Sequence, residues 1–297
     1  MARKRRAAKR PRGATKTPTA LKRSARAALS VATSGRRPVR KRVAAMAQAP
    51  LAVCESDKDL QAMLNVLRDE GEPVKVRLAA LQSLGAAAFS VVAFESCRGD
   101  YLAALRKVAT DRNPEFRQRV LGLLMREKDG FAQKKLLDGL KNPKKALVPP
   151  EKALQLLSYD VHAEAYAAAR AIVGKPPNQE AMREALRLLA ADATAAPLFE
   201  KLLRDKKELR EIRQIAASAL HALKPERLQQ IAREIVRDTS DYDDIRATSL
   251  MALATFGDDA ALASDKVLLS SVDRFSTGKA PAKYKQGARR FLRKYGR

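Results

Sequence analysis

The sequence predicts an all-α protein, a solenoid of about six helix pairs that follows a disordered basic arm. Three observations predict this fold class. Residues that enter helices at little free-energy cost, above all Ala, Leu, Arg and Lys, are abundant, aromatic residues make up only 5% of the 297 positions, and strand-like alternation is absent. Apolar residues recur at helical spacing in segments of about 10–16 residues. One pattern within these segments returns after about 30–40 residues, which is typical of helical repeat proteins.

The formal charge of +26 is concentrated at the two ends of the chain. Residues 1–54 contain 16 Lys and Arg, no Asp or Glu, and no aromatic residue. Such a segment cannot bury enough apolar surface to offset its conformational entropy, so we expect a disordered basic arm there. Residues 274–297 carry nine more cations and no acid, whereas residues 55–273 are almost neutral. The predicted domains are the arm, a repeat solenoid over 55–273 and a basic C-terminal capping helix over 274–297.

Short turns marked by Asp, Asn, Gly and Pro divide the middle of the chain into helical segments. We predict six pairs, in chain order: 57–68 with 73–87, 99–109 with 114–128, 131–141 with 149–158, 160–173 with 177–191, 194–204 with 208–222, and 225–237 with 241–256.

In the final helix, Tyr284, Ala288, Phe291 and Tyr295 recur at helical spacing. We expect this face to close the last repeat while cations cover the other faces.

The second helix of most pairs carries an arginine at the same place in a recurring pattern. The residue before the arginine is apolar, and the residue seven positions after it is leucine. These offsets share one face of an α-helix, so we expect the leucines to be buried between repeats. The arginines are Arg77, Arg117, Arg213 and Arg246, and the leucines are Leu84, Leu124, Leu220 and Leu253.

The turn before this pattern adds an acidic residue and, in two pairs, a proline: Asp69 with Pro73, and Asp111 with Pro114. Asp205 and Asp238 supply the acid without the proline in two later pairs. With these motifs, residues 57–256 resemble the HEAT-repeat family, including its short bacterial forms. The resemblance implies a right-handed α-solenoid and a structural ladder between successive repeats, with Asp111, Arg77, Arg117, Arg213 and Arg246 as members. It implies little about function, because this scaffold serves many unrelated partners.

No motif for catalysis, metal binding or cofactor binding is present. The two histidines, His162 and His221, fall within predicted helices, and we interpret them as structural. Cys54 and Cys97 lie far apart and form no CxxC pair, so we expect neither a disulfide framework nor a zinc ribbon, and a reducing compartment. We therefore predict no catalytic, cofactor or metal residues and no enzymatic activity. An enzyme that resembles HEAT-like DNA glycosylases or phycobilin lyases is the third-ranked hypothesis.

The basic ends favour nucleic-acid binding. Clusters of cations separated by small residues suit a flexible polycation that follows a phosphate backbone, where counterion release supplies the affinity. Without aromatic residues or fixed geometry such an arm would not read bases, so we expect non-specific binding. The predicted nucleic-acid-binding residues are Arg3, Lys4, Arg5, Arg6, Lys9, Arg10, Arg12, Lys22, Arg23, Arg36, Arg37, Arg40, Lys41, Arg42, Arg289, Arg290, Arg293 and Lys294.

The leading functional hypothesis is a non-enzymatic scaffold that binds protein partners through its repeat surface and nucleic acid, DNA or RNA, through its arm. The alternative is a pure protein–protein adaptor, whose arm serves targeting or engages an acidic partner. No run of 18 apolar residues exists, so we expect no membrane span. We predict a cytoplasmic location, with or without association with the nucleoid. An organelle transit peptide is the other interpretation of the arm.

Overall fold

A computed structural model describes residues 18–161 and 163–296 and contains helices and turns, with no β-strand among those residues. The residues form two compact units that adjoin in sequence at Lys134 and Lys135. The first contains α1 (Pro18–Thr33), α2 (Val39–Met46), α3 (Asp57–Arg68), α4 (Val74–Ala88), α5 (Val91–Val108) and α6 (Pro114–Arg126), and α7 (Gly130–Lys141) begins in it. The second contains α8 (Pro150–Leu157), α9 (Ala163–Gly174), α10 (Gln179–Leu189), α11 (Ala196–Arg204), α12 (Arg210–Leu223), α13 (Pro225–Arg237), α14 (Asp243–Phe256), α15 (Asp259–Ser264), α16 (Lys266–Thr277) and α17 (Ala282–Tyr295). Short 3₁₀ turns lie at Pro50–Ala52, Pro143–Lys145 and Ala193–Ala195.

The all-helical prediction is confirmed, and the twelve predicted segments correspond to α3–α14. Consecutive helices pack as pairs, among them α3 with α4, α11 with α12, and α13 with α14. Leu84, Leu124, Leu220 and Leu253 are fully buried, as the repeated pattern predicts. Within the described residues, no helix is both long and apolar enough to cross a bilayer.

The largest difference in helix bounds is at α5, which begins eight residues before the predicted start. Phe94, Cys97 and Tyr101 are buried on one face of this helix. The buried face continues at helical spacing across the central Arg–Gly–Asp sequence and offsets the low helix propensity of glycine, so the helix extends toward the N-terminus.

The prediction of a disordered arm over 1–54 is wrong for residues 18–54, since α1 and α2 occupy most of that segment. Helix α1 buries Ala25, Leu29 and Ala32 along one face, and α2 buries Met46. Alanine-rich faces let helices approach closely, so a segment without aromatic residues still packs against α3 and α4. Residues 1–17 lie outside the described residues.

The two cysteines form a disulfide, which corrects the expectation drawn from their separation in sequence. Cys54 precedes α3 and Cys97 lies in the middle of α5, at a sequence separation of 43. Because the chain returns through the α3–α4 pair, α5 packs beside α3 and the Cα atoms come within 6.3 Å. This distance is ordinary for a disulfide.

Candidate ligand-binding site

In the repeated pattern, an apolar residue and the arginine after it form what we call a dyad. Two of the dyad arginines donate hydrogen bonds to backbone carbonyl oxygens. Arg77 and Arg213 each donate from Nε to the carbonyl oxygen ten residues earlier, of Leu67 at 3.0 Å and of Leu203 at 2.9 Å. These carbonyls belong to the last turn of the preceding helix and have no partner within it, so the arginine satisfies a buried helix end.

The same guanidinium groups reach the next helix pair. Arg77 lies 2.6 Å from Asp111 and stacks on the ring of Phe116, 4.2 Å from its centroid. Arg213 is fully buried and makes two parallel hydrogen bonds to Asp241, at 2.7 and 2.6 Å. Paired hydrogen bonds of this kind fix the orientation of a planar guanidinium more firmly than a single contact does.

Two predicted ladder members behave differently. Arg117 donates to the carbonyl oxygen of Asp111 at 2.6 Å, within its own helix pair. Arg246 donates to the Val236 carbonyl at 3.2 Å and stacks on Phe275, 4.4 Å from the ring centroid, while its acidic contact is Asp243, three residues earlier. Arg246 therefore reaches α16 through an aromatic ring, while the acid that it contacts lies in its own helix.

Arg42 was predicted to contact nucleic acid, and the structure contradicts this. Its side chain is buried, with Nε donating to the Ala32 carbonyl at 3.0 Å and both terminal nitrogens donating to Glu72 at 2.6 and 2.7 Å. The spacing of ten residues to the carbonyl is the one seen at Arg77 and Arg213. Arg42 is therefore a structural arginine of the α1–α2 pair.

The turn aspartates have a local role. In each case Oδ1 accepts the backbone N–H two residues later: Asp69 from Gly71, Asp111 from Asn113, Asp205 from Lys207 and Asp238 from Ser240, at 2.8–2.9 Å. This Asx turn explains why the acid recurs at the start of the turn. Among these four, Asp111 alone also pairs with a dyad arginine.

The other predicted nucleic-acid-binding residues are divided by the structure into several groups. Arg3, Lys4, Arg5, Arg6, Lys9, Arg10 and Arg12 lie outside the described residues. Lys22, Arg23, Arg36, Arg37, Arg40 and Lys41 are exposed on or between α1 and α2, and Lys22 lies 3.8 Å from Glu55. Arg289, Arg290, Arg293 and Lys294 are exposed on α17, but only Arg290 and Lys294 line a pocket.

That pocket lies between α14 and α17 and has a volume of about 430 Å³. Its apolar walls come from Leu250, Met251 and Ala254 on α14 and from Tyr284 and Phe291 on α17. The buried face of α17, which also carries Ala288 and Tyr295, belongs to the core of this unit, so the floor of the pocket is held by packed side chains.

Cations lie along the α17 side of the opening. Lys283, Gly287, Arg290 and Lys294 follow one line along α17, beside the face buried in the core. None of the lining residues is acidic, and α17 contains no Asp or Glu. Within the described part of the chain, Arg290 has no acidic partner. The pocket therefore combines an apolar interior with a positively charged rim.

Lys294 is the one rim cation that is already paired. It lies 3.1 Å from Asp259, which also accepts a hydrogen bond from the Tyr295 hydroxyl at 2.7 Å. The bond from Tyr295, followed by that from Lys294, holds the pKa of Asp259 below its usual value. Tyr295 and then Asp259 hold the pKa of Lys294 above its usual value, so this side chain stays charged.

Two pocket residues were not singled out from the sequence. Met251 is 64% exposed although it lies on a helix with a buried face, and a thioether of this kind adapts to varied apolar shapes. Gly287 leaves open space where a side chain would begin, since an added Cβ would meet no atom within 4 Å. The sequence offered two weak signals: a methionine outside the buried face of α14, and a glycine inside α17, where its helix propensity is low.

Metal-binding groups do not converge in the described residues. No group of three or more His, Cys, Asp and Glu side chains could hold a metal ion there. His221 stacks on Phe256, with ring centroids 4.0 Å apart, and His162 lies outside the described residues.

The fold and the pocket define an all-helical protein of packed helix pairs with a ligand-sized pocket in its second unit. No protein-family model and no curated protein matches the chain. Among solved structures, it is similar to the complex of CpcE and CpcF of phycocyanin lyase from Nostoc sp. PCC7120, with 16% identity, a TM-score of 0.28 and 98% of each chain covered.

The comparison does not agree with the function predicted from the sequence. We expected a non-enzymatic scaffold with non-specific nucleic-acid binding through its arm, but the similar solved structure is that of a phycocyanin lyase. The burial of Arg42 also removes one of the cations on which the nucleic-acid hypothesis depended.

Proposed function

We propose that the pocket between α14 and α17 binds an amphipathic organic anion, a molecule with an apolar body and at least one carboxylate. The observation that carries this proposal is the pairing of an apolar pocket of about 430 Å³ with a rim of Lys283, Arg290 and Lys294. Small-molecule sites are typically concave and mostly apolar, with a few polar groups that fix orientation.

The apolar part of the ligand is selected by the walls. Leu250, Met251 and Phe291 offer aliphatic, thioether and aromatic surface, and burial of apolar area against them contributes about 25 cal/mol per Å². An exposed Met251 loses contact with water when the ligand enters. The pocket should therefore bind a ligand with a flat or chain-like hydrocarbon body more tightly than one with a polar body.

The charge of the ligand is selected by the rim. Arg290 is unpaired among the described residues, and a guanidinium presents parallel donors that match the two oxygens of a carboxylate. Lys283 lies on the same line of α17 and adds a second positive charge. Since no lining residue is acidic, a cationic ligand with the same body would be repelled.

The test uses two fluorescent probes that differ only in charge, pyrenebutyrate and pyrenebutanol, titrated into the full-length protein. We expect the carboxylate to bind at least about tenfold more tightly, because hydrogen bonds to charged groups contribute about 1.5–3 kcal/mol. Arg290→Gln should remove most of this preference. Arg293→Gln is the matched control, because Arg293 is an exposed arginine of the same helix that does not line the pocket.

A second pair of variants tests the location. Gly287→Leu should fill the pocket and weaken binding of both probes, while the helix gains up to about 1 kcal/mol in stability. Gly287→Ala makes the same backbone change with little added volume and should bind almost as the wild type does. Equal affinity for the two probes, or unchanged binding in Gly287→Leu, would overturn the proposal.

We also infer that the helix pairs are of the HEAT type, with about six such pairs in right-handed succession. Support comes from the arginine contacts shared by Arg42, Arg77 and Arg213, each of which joins a helix end to the acid of a following turn. A crystal structure in which the pairs succeed one another in the opposite hand would contradict this inference.

A further inference from the structure

A second cavity, in the first unit, is lined by one of the bonded cysteines. It has a volume of about 650 Å³ and lies between α1, the segment that precedes α3, and the junction of α4 and α5. Apolar lining comes from Leu21, Leu51 and Phe94, and Cys54 faces the same space. The volume is sufficient for a molecule of several hundred daltons.

The two sulfur atoms differ in access. Cys54 is partly exposed and lines the cavity, whereas Cys97 is buried in α5 and does not line it. Thiol–disulfide exchange requires a thiolate to reach one sulfur of the bond, so access decides which sulfur is attacked. An incoming thiol in this cavity therefore meets Cys54.

Two cations of α1 lie at the same cavity. Lys22 and Arg26 are 68% and 67% exposed and lie 3.8 Å from Glu55 and Asp59, respectively, which is beyond hydrogen-bonding distance. Pairs so exposed and so long contribute little, and either cation is free to turn toward an incoming anion. Glu55 also lines the cavity, so its carboxylate is the one lining charge that opposes an anion.

We propose that Cys54 is a site of reversible thiol–disulfide exchange with an anionic low-molecular-weight thiol bound in this cavity. The thiolate attacks Sγ of Cys54, a new S–S bond forms, and the bond to Cys97 breaks. Cys97 leaves with the electron pair and takes up a proton, while the thiol remains as a mixed disulfide on Cys54. In the reverse step the Cys97 thiolate attacks Cys54 and releases the thiol, so no other oxidant or reductant is consumed.

The experiment treats the full-length protein, purified without reductant, with reduced glutathione, and with mercaptoethanol as an uncharged thiol at matched thiolate concentration. Alkylation and peptide mass spectrometry at timed intervals locate the adduct and give its rate. We expect the glutathione adduct on Cys54 and a rate about tenfold above that of mercaptoethanol, since charged clefts raise association rates by at least this factor. Added salt should reduce the difference.

The charge variants separate binding in the cavity from general reactivity. Lys22→Gln with Arg26→Gln should lower the glutathione rate toward the mercaptoethanol rate and leave the latter unchanged. Arg23→Gln with Arg40→Gln removes the same charge from exposed positions of α1 and α2 that do not line the cavity, and should have little effect. An adduct on Cys97, equal rates for the two thiols, or free thiols in the purified protein would each overturn the proposal.

Discussion

Arg213 and Asp241 form a fully buried ion pair that joins one helix pair to the next. Two parallel hydrogen bonds, 2.7 and 2.6 Å long, connect the guanidinium to the carboxylate, and the remaining Nε donates to the Leu203 carbonyl. One side chain of α12 thus holds the end of α11 and the turn before α14. Each of the three guanidinium nitrogens donates a hydrogen bond, and such pairing is what makes a buried charge tolerable.

We predict that Arg213→Met destabilises the second unit by about 3–5 kcal/mol. The methionine fills much of the volume, but it leaves the Asp241 carboxylate buried without its cation, and this is the costly state of a broken buried pair. Urea unfolding followed by circular dichroism measures the free energy of unfolding. Arg119→Ala is the reference, because the pair of Arg119 with Glu115 is exposed and its removal should cost below about 0.5 kcal/mol.

A double-mutant cycle decides whether the loss is due to the pair itself. Asp241→Leu combined with Arg213→Met removes both charges, so the double variant should lose less stability than the two single losses added together. Strict additivity would show that the ion pair is not the source of the effect.

Arg42 and Arg40 provide a second test, since they are two residues apart in α2 and differ in environment. Arg42 is buried and pairs with Glu72, while Arg40 is exposed. Arg42→Gln should therefore lower the free energy of unfolding by about 3 kcal/mol or more. Arg40→Gln should change it by no more than about 0.5 kcal/mol. Comparable values for the two variants in urea unfolding would contradict the buried role of Arg42.

The sequence predicted the helices because each has its own apolar period, and a period is a local property. The sequence did not show that Arg42 is buried while the neighbouring cations are exposed, because a count of charges contains no information on burial. Lys41 stands where the other dyads have an apolar residue, and Ala49 stands where they have leucine, so the repeated pattern was not visible at this position. Ala49 is nevertheless fully buried, as the leucines are.

The acid partner of Arg213 and the pocket depend on distant contacts, and these were beyond a local pattern. Four aspartates lie close together around the start of α14, and spacing alone does not show that Asp241 rather than Asp238 turns toward the arginine. The buried face of α17 was predicted from its period. The gap beside that face exists where α14 and α17 pack together, and Gly287 and Met251 line it.

Tyr101 and Tyr295 should respond in opposite ways to loss of the hydroxyl group. Tyr101 is buried, and within the described residues its hydroxyl has no hydrogen-bond partner. Burial, with a smaller contribution from Glu127, raises the pKa of Tyr101 well above its usual value. Tyr101→Phe should keep or increase stability by up to about 1 kcal/mol, because an unsatisfied buried hydroxyl is removed while the ring contact with Phe94 remains.

Tyr295→Phe is the matched change. It removes a hydroxyl that donates to Asp259 at 2.7 Å, so a loss of about 0.5–1.5 kcal/mol is expected. Thermal unfolding of both variants beside the wild type measures the two effects. A clear loss of stability in Tyr101→Phe would indicate that water or another group satisfies the Tyr101 hydroxyl.

Asp238 should make the stability of the protein depend on pH in the acid range. A hydrogen bond from Lys206, followed by one from Ser240, lowers the pKa of this carboxyl from the usual 3.8 to about 2. Because the folded state favours the carboxylate, its stabilising contribution is complete above the unfolded pKa and is lost as the pH falls toward 2. The effect on the unfolding temperature should be small, because both partners are partly exposed and water screens their attraction. Asp238→Asn retains the acceptor for the Ser240 N–H but carries no charge. The difference in stability between this variant and the wild type should therefore disappear below about pH 2. An NMR titration in which the Asp238 carboxyl, with Lys206 present, titrates at 3.8 would contradict this account.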